Sequence, residues 1–448
     1  MPRAVMGLLF YPRGGSAQVT RSLARQLPSC GWDVTIVSGS LGEGGRTDAR
    51  RFFEGLEVRA VDYTEAAAAA DPLAADPPMH PSYEDRSDAP DPVFARVDDA
   101  GYERLVAAWA RELEAADAAG ADVLHLHHLT PLNEAALQEA TGVPVVGHIH
   151  GTELLMLEEI ASGPPPGWGH AEVWVERMRR WLDACAGIVV LSPTQLERLE
   201  GLLGVSADRC TVVPNGYDPE IFHPREVNRL AHWRRHLVES PQAWRPGGEP
   251  GSVRYCEGDL EPFADGPVLL YVGRYTSVKR LGLLIRAYAS AQERLATRAP
   301  LVLLGGFPGE WEDEHPVESI EATGARDVFL AGWHEHADLP DFLAASDVVV
   351  LPSVREQFGQ VLVEGMACGL PAIAADAYGP AEIVDDGRTG WLVPPDDQAA
   401  LADALVAAVN DPGARRRRGE AARKVAAERY SWAALAERVA ALYDAVRG

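Results

Sequence analysis

The chain has no apolar run long enough to span a bilayer, and its cysteines are few and scattered. A helix that crosses the hydrocarbon core needs about 20 predominantly apolar residues. No such stretch occurs in the 448 residues, so no integral membrane segment is expected. The five cysteines, Cys30, Cys185, Cys210, Cys256 and Cys368, are odd in number and no two are close in sequence. That spacing suggests neither a disulfide framework nor a zinc site, and a reduced, cytoplasmic setting fits best. Positive charge is also scarce: 41 Lys and Arg against 66 Asp and Glu leave a formal net charge of -25. Such a surface repels phosphodiester backbones, so nucleic acid is not an expected partner. Several catalytic signatures are missing. There is no Asp-x-Asp triplet, the usual clamp for a metal-bound nucleotide, and no Gly-x-Ser-x-Gly, His-Glu-x-x-His or P-loop. The complete G-x-G-x-x-G of nicotinamide sites is absent as well. No resident metal or cofactor is expected.

The length suits two domains better than one core. The N-terminal segment carries an early Arg3 and an apolar run, but Tyr11-Pro12-Arg13-Gly14-Gly15 follows in place of a small-residue cleavage site. It therefore reads as a first buried strand rather than a signal peptide. Strands are predicted at 5–10, 33–38, 58–61, 122–127, 143–148, 187–191 and 210–213, with helices at 17–27, 102–118 and 194–203 between some of them. The rhythm then repeats, with strands at 268–272, 301–304, 328–330, 348–351 and 372–374, and helices at 281–295 and 339–345. Short strands alternating with helices indicate parallel βαβ units, and runs such as Val348-Val349-Val350-Leu351 suit strands covered on both faces. The expected class is α/β, two doubly wound domains in tandem, at 1–214 and 215–430, with a last helix over 431–448 that could cross back to the first. Two segments interrupt the rhythm. Residues 62–100 hold ten acidic residues, two Arg and six Pro, and read as a mobile loop or lid inserted in the first domain. Residues 225–266 hold six Arg with Trp233, Trp244 and Tyr255, and read either as an ordered excursion or as a linker.

Five short constellations carry the chemistry. Gly273-Arg274…Lys279 follows a strand and opens a helix. Two cations on such a loop can converge on one diphosphate, helped by a helix N-terminus, although solvated loop charges would read the same way. Glu356-Gln357-Phe358-Gly359 follows another buried strand and leads into a helix carrying Glu364. A carboxylate only accepts hydrogen bonds, so Glu356 suits sugar hydroxyls and Glu364 a ribose diol, with backbone N–H groups near Phe358 and Gly359 for phosphate. His148-Ile149-His150-Gly151-Thr152-Glu153 closes a first-domain strand, where ligands of open α/β sheets bind. His150 is better placed than His148, because Gly151 permits close approach. Gly14-Gly15 turns between the first strand and first helix, a place for an anion or simply a tight turn. Asn215-Gly216 is a turn at the domain junction and a hinge candidate.

The order Gly-Gly loop, His-Gly-Thr-Glu, Pro-Asn-Gly-Tyr-Asp, Gly-Arg…Lys, Glu…Phe-Gly…Glu and Gly-Pro-Ala-Glu resembles the retaining glycosyltransferases of family 4. The resemblance covers nearly the whole chain and is most specific from Val268 to Pro395. It implies the GT-B fold, two Rossmann-like domains facing a central cleft. It also implies roles. Arg274 and Lys279 would hold the donor diphosphate, with Gly273 beside them. Glu356 would grip the donor sugar and Glu364 the ribose. His150 would contact the sugar from the first domain. Gly14 and Gly15 would lie near the phosphates and acceptor, and Gln357, Phe358 and Gly359 under the phosphate and sugar. Three positions depart from the pattern: Arg280 where glycine is common, Gln357 where a small residue is usual, and Gly365 where alanine is usual.

The expectation is therefore a hexosyltransferase, retaining and metal-independent. It would use a UDP- or GDP-type sugar and a small soluble acceptor such as a polyol, aminocyclitol or sugar phosphate. A sugar phosphate would need basic residues at the acceptor, for which Arg13 and Arg21 are the candidates. The competing readings are an epimerase or hydrolase on the same fold, or a non-catalytic sugar-nucleotide-binding protein. No pattern in the residues assigns an oligomeric state.

Overall fold

A computed structural model of the protein describes residues 1–84 and 91–448. The chain forms two compact units, Met1–Asn215 together with Trp432–Gly448, and Gly216–Ser431.

The first unit is built on seven parallel strands: β1 (Arg3–Leu8), β2 (Asp33–Ser40), β3 (Glu57–Asp62), β4 (Val123–His127), β5 (Val145–His148), β6 (Gly187–Val190) and β7 (Cys210–Val212). Their order is β3-β2-β1-β4-β5-β6-β7. The chain winds outward from β1 and then crosses to the other side of β1 to lay down β4. Loops after β1 and β4 part at that point, which leaves a crevice at the carboxyl ends of the strands. Ala4, Val5, Met6 and Leu8 are fully buried because helices cover both faces of the sheet. One of those helices, Trp432–Arg447, comes from the far end of the chain. Its Trp432, Leu435, Val439 and Tyr443 share a core with Met6, Leu8 and Trp32. The apolar run that suggested a strand through Phe10 ends two residues earlier. Leu9 and Phe10 are loop residues there, and the Phe10 ring packs edge-on against His80 and His128.

The acidic segment 62–100 is not a mobile lid over its described part. Met79, Tyr83, Val93, Phe94 and Val97 are buried in the core of the first unit. The Tyr83 hydroxyl donates to the carbonyl of Leu129 at 2.7 Å. The acids lie between apolar anchors, and the anchors decide the packing. The stretch 85–90 of that expectation lies outside the described residues.

The second unit repeats the architecture with β8 (Leu269–Gly273), β9 (Leu301–Gly305), β10 (Val328–Gly332), β11 (Val348–Leu351), β12 (Ala372–Ala375) and β13 (Gly390–Val393). The strands are parallel, in the order β10-β9-β8-β11-β12-β13, so the winding reverses between β8 and β11. Residues 225–266 are an ordered part of this unit. Trp233, Leu237, Trp244, Leu260 and Phe263 belong to its core, and the indole N–H of Trp244 donates to the carbonyl of Gly306 at 3.0 Å. Among the described residues no helix is long and apolar enough to cross a membrane.

Candidate functional site

The switch point of the second sheet gathers most of the residues singled out in the sequence. Gly273 ends β8 and Arg274 follows it, while Glu356 lies in the loop after β11, the neighbouring strand. Lys279 ends a single 3-10 turn, Ser277–Lys279, and its ammonium forms an ion pair with the carboxylate of Glu356. Both side chains are largely shielded, at 16% and 20% exposure, which strengthens the attraction beyond that of a surface pair. Arg274 is exposed and makes no ion pair among the described residues. With Gly273, Phe307, Trp333 and His336 it lines a cavity of about 550 Å³.

Glu364 lies on the helix Gln360–Ala367, which Gly359 starts in the left-handed region at φ 100°. A residue with a Cβ would be strained there. Glu364 is buried, and its Oε1 lies 2.8 Å from Nε2 of His336, a wall residue of the cavity, and accepts from the amide of Gln360 at 3.3 Å. Phe358 is buried and Gln357 partly buried in the loop between Glu356 and that helix. A Cβ on Gly379 would come within 2.2 Å of the Phe358 carbonyl oxygen. A Gly379→Ala variant is therefore expected to lose about 1–3 kcal/mol of stability, the usual cost of overpacking. Thermal unfolding would show a midpoint lowered by several degrees; an unchanged midpoint would mean that the Phe358 loop yields freely.

The three departures have structural accounts of unequal strength. Arg280 starts the following helix at φ 56°, which explains why glycine suits that position, and its guanidinium pairs with Asp396 at 2.6 Å. A Cβ on Gly365 would meet Val349 at 2.6 Å, so alanine does not fit here without a shift of that side chain. Nothing in the structure explains Gln357.

In the first unit, Gly14 and Gly15 lie in the loop after β1 and at the start of the helix Gly15–Gln26, and His150 follows β5. The strands β1 and β5 are separated by β4. His150 is partly buried at the end of a stack of imidazoles that the sequence reading did not foresee. In β4 His125 and His127 share a face, and His127 is in register with His148 of β5. The rings of His125 and His148 are 5.2 Å apart at 9°, and those of His148 and His150 are 4.4 Å apart at 9°. Nδ1 of His125 lies 2.5 Å from the hydroxyl of Tyr443, and its Nε2 is 3.1 Å from Nδ1 of His148. Nδ1 of His127 lies 2.8 Å from Nε2 of His150, which orients the ring that the sequence had marked. The alternation His125-Leu126-His127 was the available signal: period two places both rings on one side of a strand.

Glu153 completes the arrangement from the first turn of the next helix. Its Oε1 accepts from the backbone N–H of His150 at 2.9 Å, and its Oε2 lies 3.3 Å from Nδ1 of His128. Burial alone would raise its pKa. The neighbouring His128 and the backbone N–H groups outweigh that effect and hold the carboxyl below its ordinary range. Burial lowers His125 to about 3. It also holds His127, His148 and His150 well below their usual value, with nearby imidazoles adding to the effect. Neutral imidazoles are the ligating form, and the ring nitrogens of His125, His127 and His148 lie within 4.8 Å of one another. Nε2 of His125 and Nδ1 of His148 already face each other at hydrogen-bonding distance, so a proton between those two nitrogens takes the place of a shared ion. The cluster fits packed neutral rings better than a metal centre.

Comparison with known proteins supplies the context. The family description "Glycosyltransferase Family 4" matches residues 13–221, and "Glycosyl transferases group 1" matches residues 258–425. A D-inositol 3-phosphate glycosyltransferase of Xylanimonas cellulosilytica is 32% identical over 314 residues, covering 69% of this chain and 69% of that protein. The structure of a sucrose-phosphate synthase from Thermosynechococcus elongatus is similar with a TM-score of 0.67 at 21% identity, covering 99% of both chains. Anabaena HepE in complex with UDP-glucose is similar with a TM-score of 0.65 at 18% identity, again covering 99% of both chains. The chain is a member of glycosyltransferase family 4 with the GT-B fold.

Proposed function

We propose that this glycosyltransferase moves a hexosyl group, with retention and without a metal, from a UDP- or GDP-type sugar to a small soluble acceptor. The acceptor class is a polyol, an aminocyclitol or a sugar phosphate. The observation that carries the reading is the Lys279–Glu356 pair, with Arg274 nearby, in the segments that follow the adjacent strands β8 and β11 at the switch point of the second sheet. The cavity beside it, about 550 Å³, has the dimensions of a nucleotide site. Its wall includes the aromatic side chains Phe307 and Trp333, against which a base can stack.

In this reading Arg274 and Lys279 neutralise the diphosphate as the bond from C1 to phosphate oxygen breaks. The acceptor oxygen attacks C1 on the same face, and its proton passes to the departing diphosphate. Glu356 holds hydroxyls of the donor sugar and Glu364 the ribose. Gln357, Phe358 and Gly359 lie under the phosphate and sugar. His150, Gly14 and Gly15 keep the contacts that the family resemblance implies. Related proteins support the donor class, since HepE was crystallised with UDP-glucose. The free cysteines suit a cytoplasmic enzyme.

A thermal-shift panel of nucleoside diphosphates and their sugars tests the donor. A ligand that binds only the folded chain stabilises it by about 2.7 kcal/mol at 100 times its Kd, so the matching nucleotide raises the midpoint by several degrees. A panel in which no nucleotide diphosphate shifts the midpoint would remove the reading. Incubation with the donor alone separates the rival: epimerised or hydrolysed sugar without any dependence on acceptor would favour an epimerase or hydrolase.

A further inference from the structure

The hydrogen bond between His127 and His150 has a direction, and the surroundings of the two rings set it. His127 is fully buried, and its Nδ1 lies 2.8 Å from Nε2 of His150. The other nitrogen of His127, Nε2, is buried with no hydrogen-bond partner among the described residues. His150 is placed differently. It is only partly buried, and its Nδ1 makes no hydrogen bond among the described residues, yet it is not one of the sealed, unpartnered atoms. The pair therefore runs from a closed nitrogen in the core to an open one just beyond β5.

A neutral imidazole carries one N–H, and the bond made by one nitrogen decides where that proton sits. Burial and the nearby imidazoles hold both rings well below their usual pKa, so both are neutral near pH 7. Two arrangements then satisfy the contact. In the first, Nδ1–H of His127 donates to Nε2 of His150, and a lone pair is left sealed at Nε2 of His127. In the second, Nε2–H of His150 donates to His127, and His127 keeps an N–H sealed in the core with nothing to accept it. An orphaned buried N–H is the rarer defect, which favours the first arrangement. His150 then accepts at Nε2 and carries its own proton on the open Nδ1. Its ring is also clamped. The centroid lies 4.4 Å from that of His148 at 9° and 4.5 Å from that of His128 at 42°. The backbone N–H of His150 donates to Oε1 of Glu153 at 2.9 Å, which holds the chain beneath the ring.

We propose that His127 is a positioning residue: its Nδ1–H fixes His150 as the Nδ1–H tautomer, and His150 presents that proton to an oxygen of the bound sugar. The proposal rests on the transferase reading above, in which His150 contacts the sugar, and it adds the direction of that bond. A ring in this form has both nitrogens committed, one to His127 and one to its own proton. It donates to a sugar oxygen and has no lone pair with which to take the proton of an attacking hydroxyl. His150 is thereby excluded as the general base. The proton of the acceptor goes to the departing diphosphate, as the transferase reading requires.

The test uses the full chain, and its first measurement needs no functional variant. Long-range proton–nitrogen NMR correlation on protein labelled with nitrogen-15 histidine shows which nitrogen of each neutral ring carries the proton. The signals of His150 are those missing from the spectrum of His150→Gln. Protonation at Nδ1 is expected for both His127 and His150. A proton on Nε2 of His150, in an enzyme that transfers sugar, overturns the proposal and leaves the transferase reading standing. The second measurement is kinetic. His127→Leu should lower kcat by about 10–100-fold, the usual loss when the partner that orients a metal-bound histidine is removed. It should still bind a nucleoside diphosphate, which lacks the sugar, as the wild type does. His127→Asn keeps an N–H near the place of Nδ1 and should recover most of the lost rate. In a His150→Ala background His127→Leu should cost nothing further, because the two residues act through one contact. An unchanged kcat in His127→Leu, or an equal loss in both backgrounds, overturns the proposal. If His127→Leu fails to fold, the wild-type tautomer and the rate of His127→Asn decide the matter. The expected tautomer in a protein that transfers sugar from no donor overturns the role of His127 together with the transferase reading.

Discussion

Replacing Lys279 with alanine is expected to lower kcat for sugar transfer by about 10²–10³-fold, the usual loss when one preorganised group at a developing charge is removed. The reason is positional. Lys279 follows β8, Glu356 follows the adjacent β11, and the two form an ion pair, so the proposed reading gives one side chain two functions. In the proposed reading it places positive charge where the leaving diphosphate would form, and its ion pair fixes the carboxylate proposed to grip the sugar. The alanine variant therefore also leaves Glu356 without its partner. A double-mutant cycle with Glu356→Gln separates the two contributions. If both residues act as one unit, the double variant is scarcely worse than either single one. The loss should fall mainly on kcat and less on KM, because the charge at the leaving group develops in the transition state. A Lys279→Ala enzyme with kcat within threefold of the wild type would remove this residue from the chemistry.

Acid should destabilise the protein steeply, beginning near pH 6.5. In the folded chain burial lowers His125 to about 3, and His127, His148 and His150 are held down in the same direction. In the unfolded chain each would titrate near 6.5. Above that pH neither state carries the proton and these groups leave stability unchanged. Below it the unfolded chain takes up protons that the stacked rings refuse. Stability then falls as pH falls, for His125 down to about 3. Each such ring steepens the loss by about 1.4 kcal/mol per pH unit, so four act strongly together. The same sign operates in the second unit, where burial lowers His232 and His315 to about 4 and His236 to about 3. Urea unfolding between pH 8 and pH 5 measures the slope. His127→Gln should make it shallower by roughly one proton. A wild-type midpoint that stays flat over that range, or a slope that the variant leaves unaltered, would show that the stack accepts protons while folded.

Much of the architecture was legible from local pattern. Short apolar runs such as Val348–Leu351 are buried on both faces, and that property alone marks an interior parallel strand. The loop cations and the glutamates after the strands were legible for the same reason, because a parallel sheet sends every strand's carboxyl end to one edge. Other features were not. Phe10 continues an apolar run, yet it packs as a loop residue, since hydrophobicity reports burial and not backbone direction. The acidic count of 62–100 pointed to mobility, whereas burial of Met79, Tyr83 and Phe94 decides its placement.

Residue order by itself determined the α/β class, the doubling of the architecture and the family, because each depends on periodicity and on motifs whose members lie close along the chain. Tertiary structure alone decided what depends on distant segments meeting. It placed Tyr443 on His125 across 318 positions and set Lys279 on Glu356 across 77. Those contacts follow from the order in which strands join each sheet, and no short window of sequence contains that order.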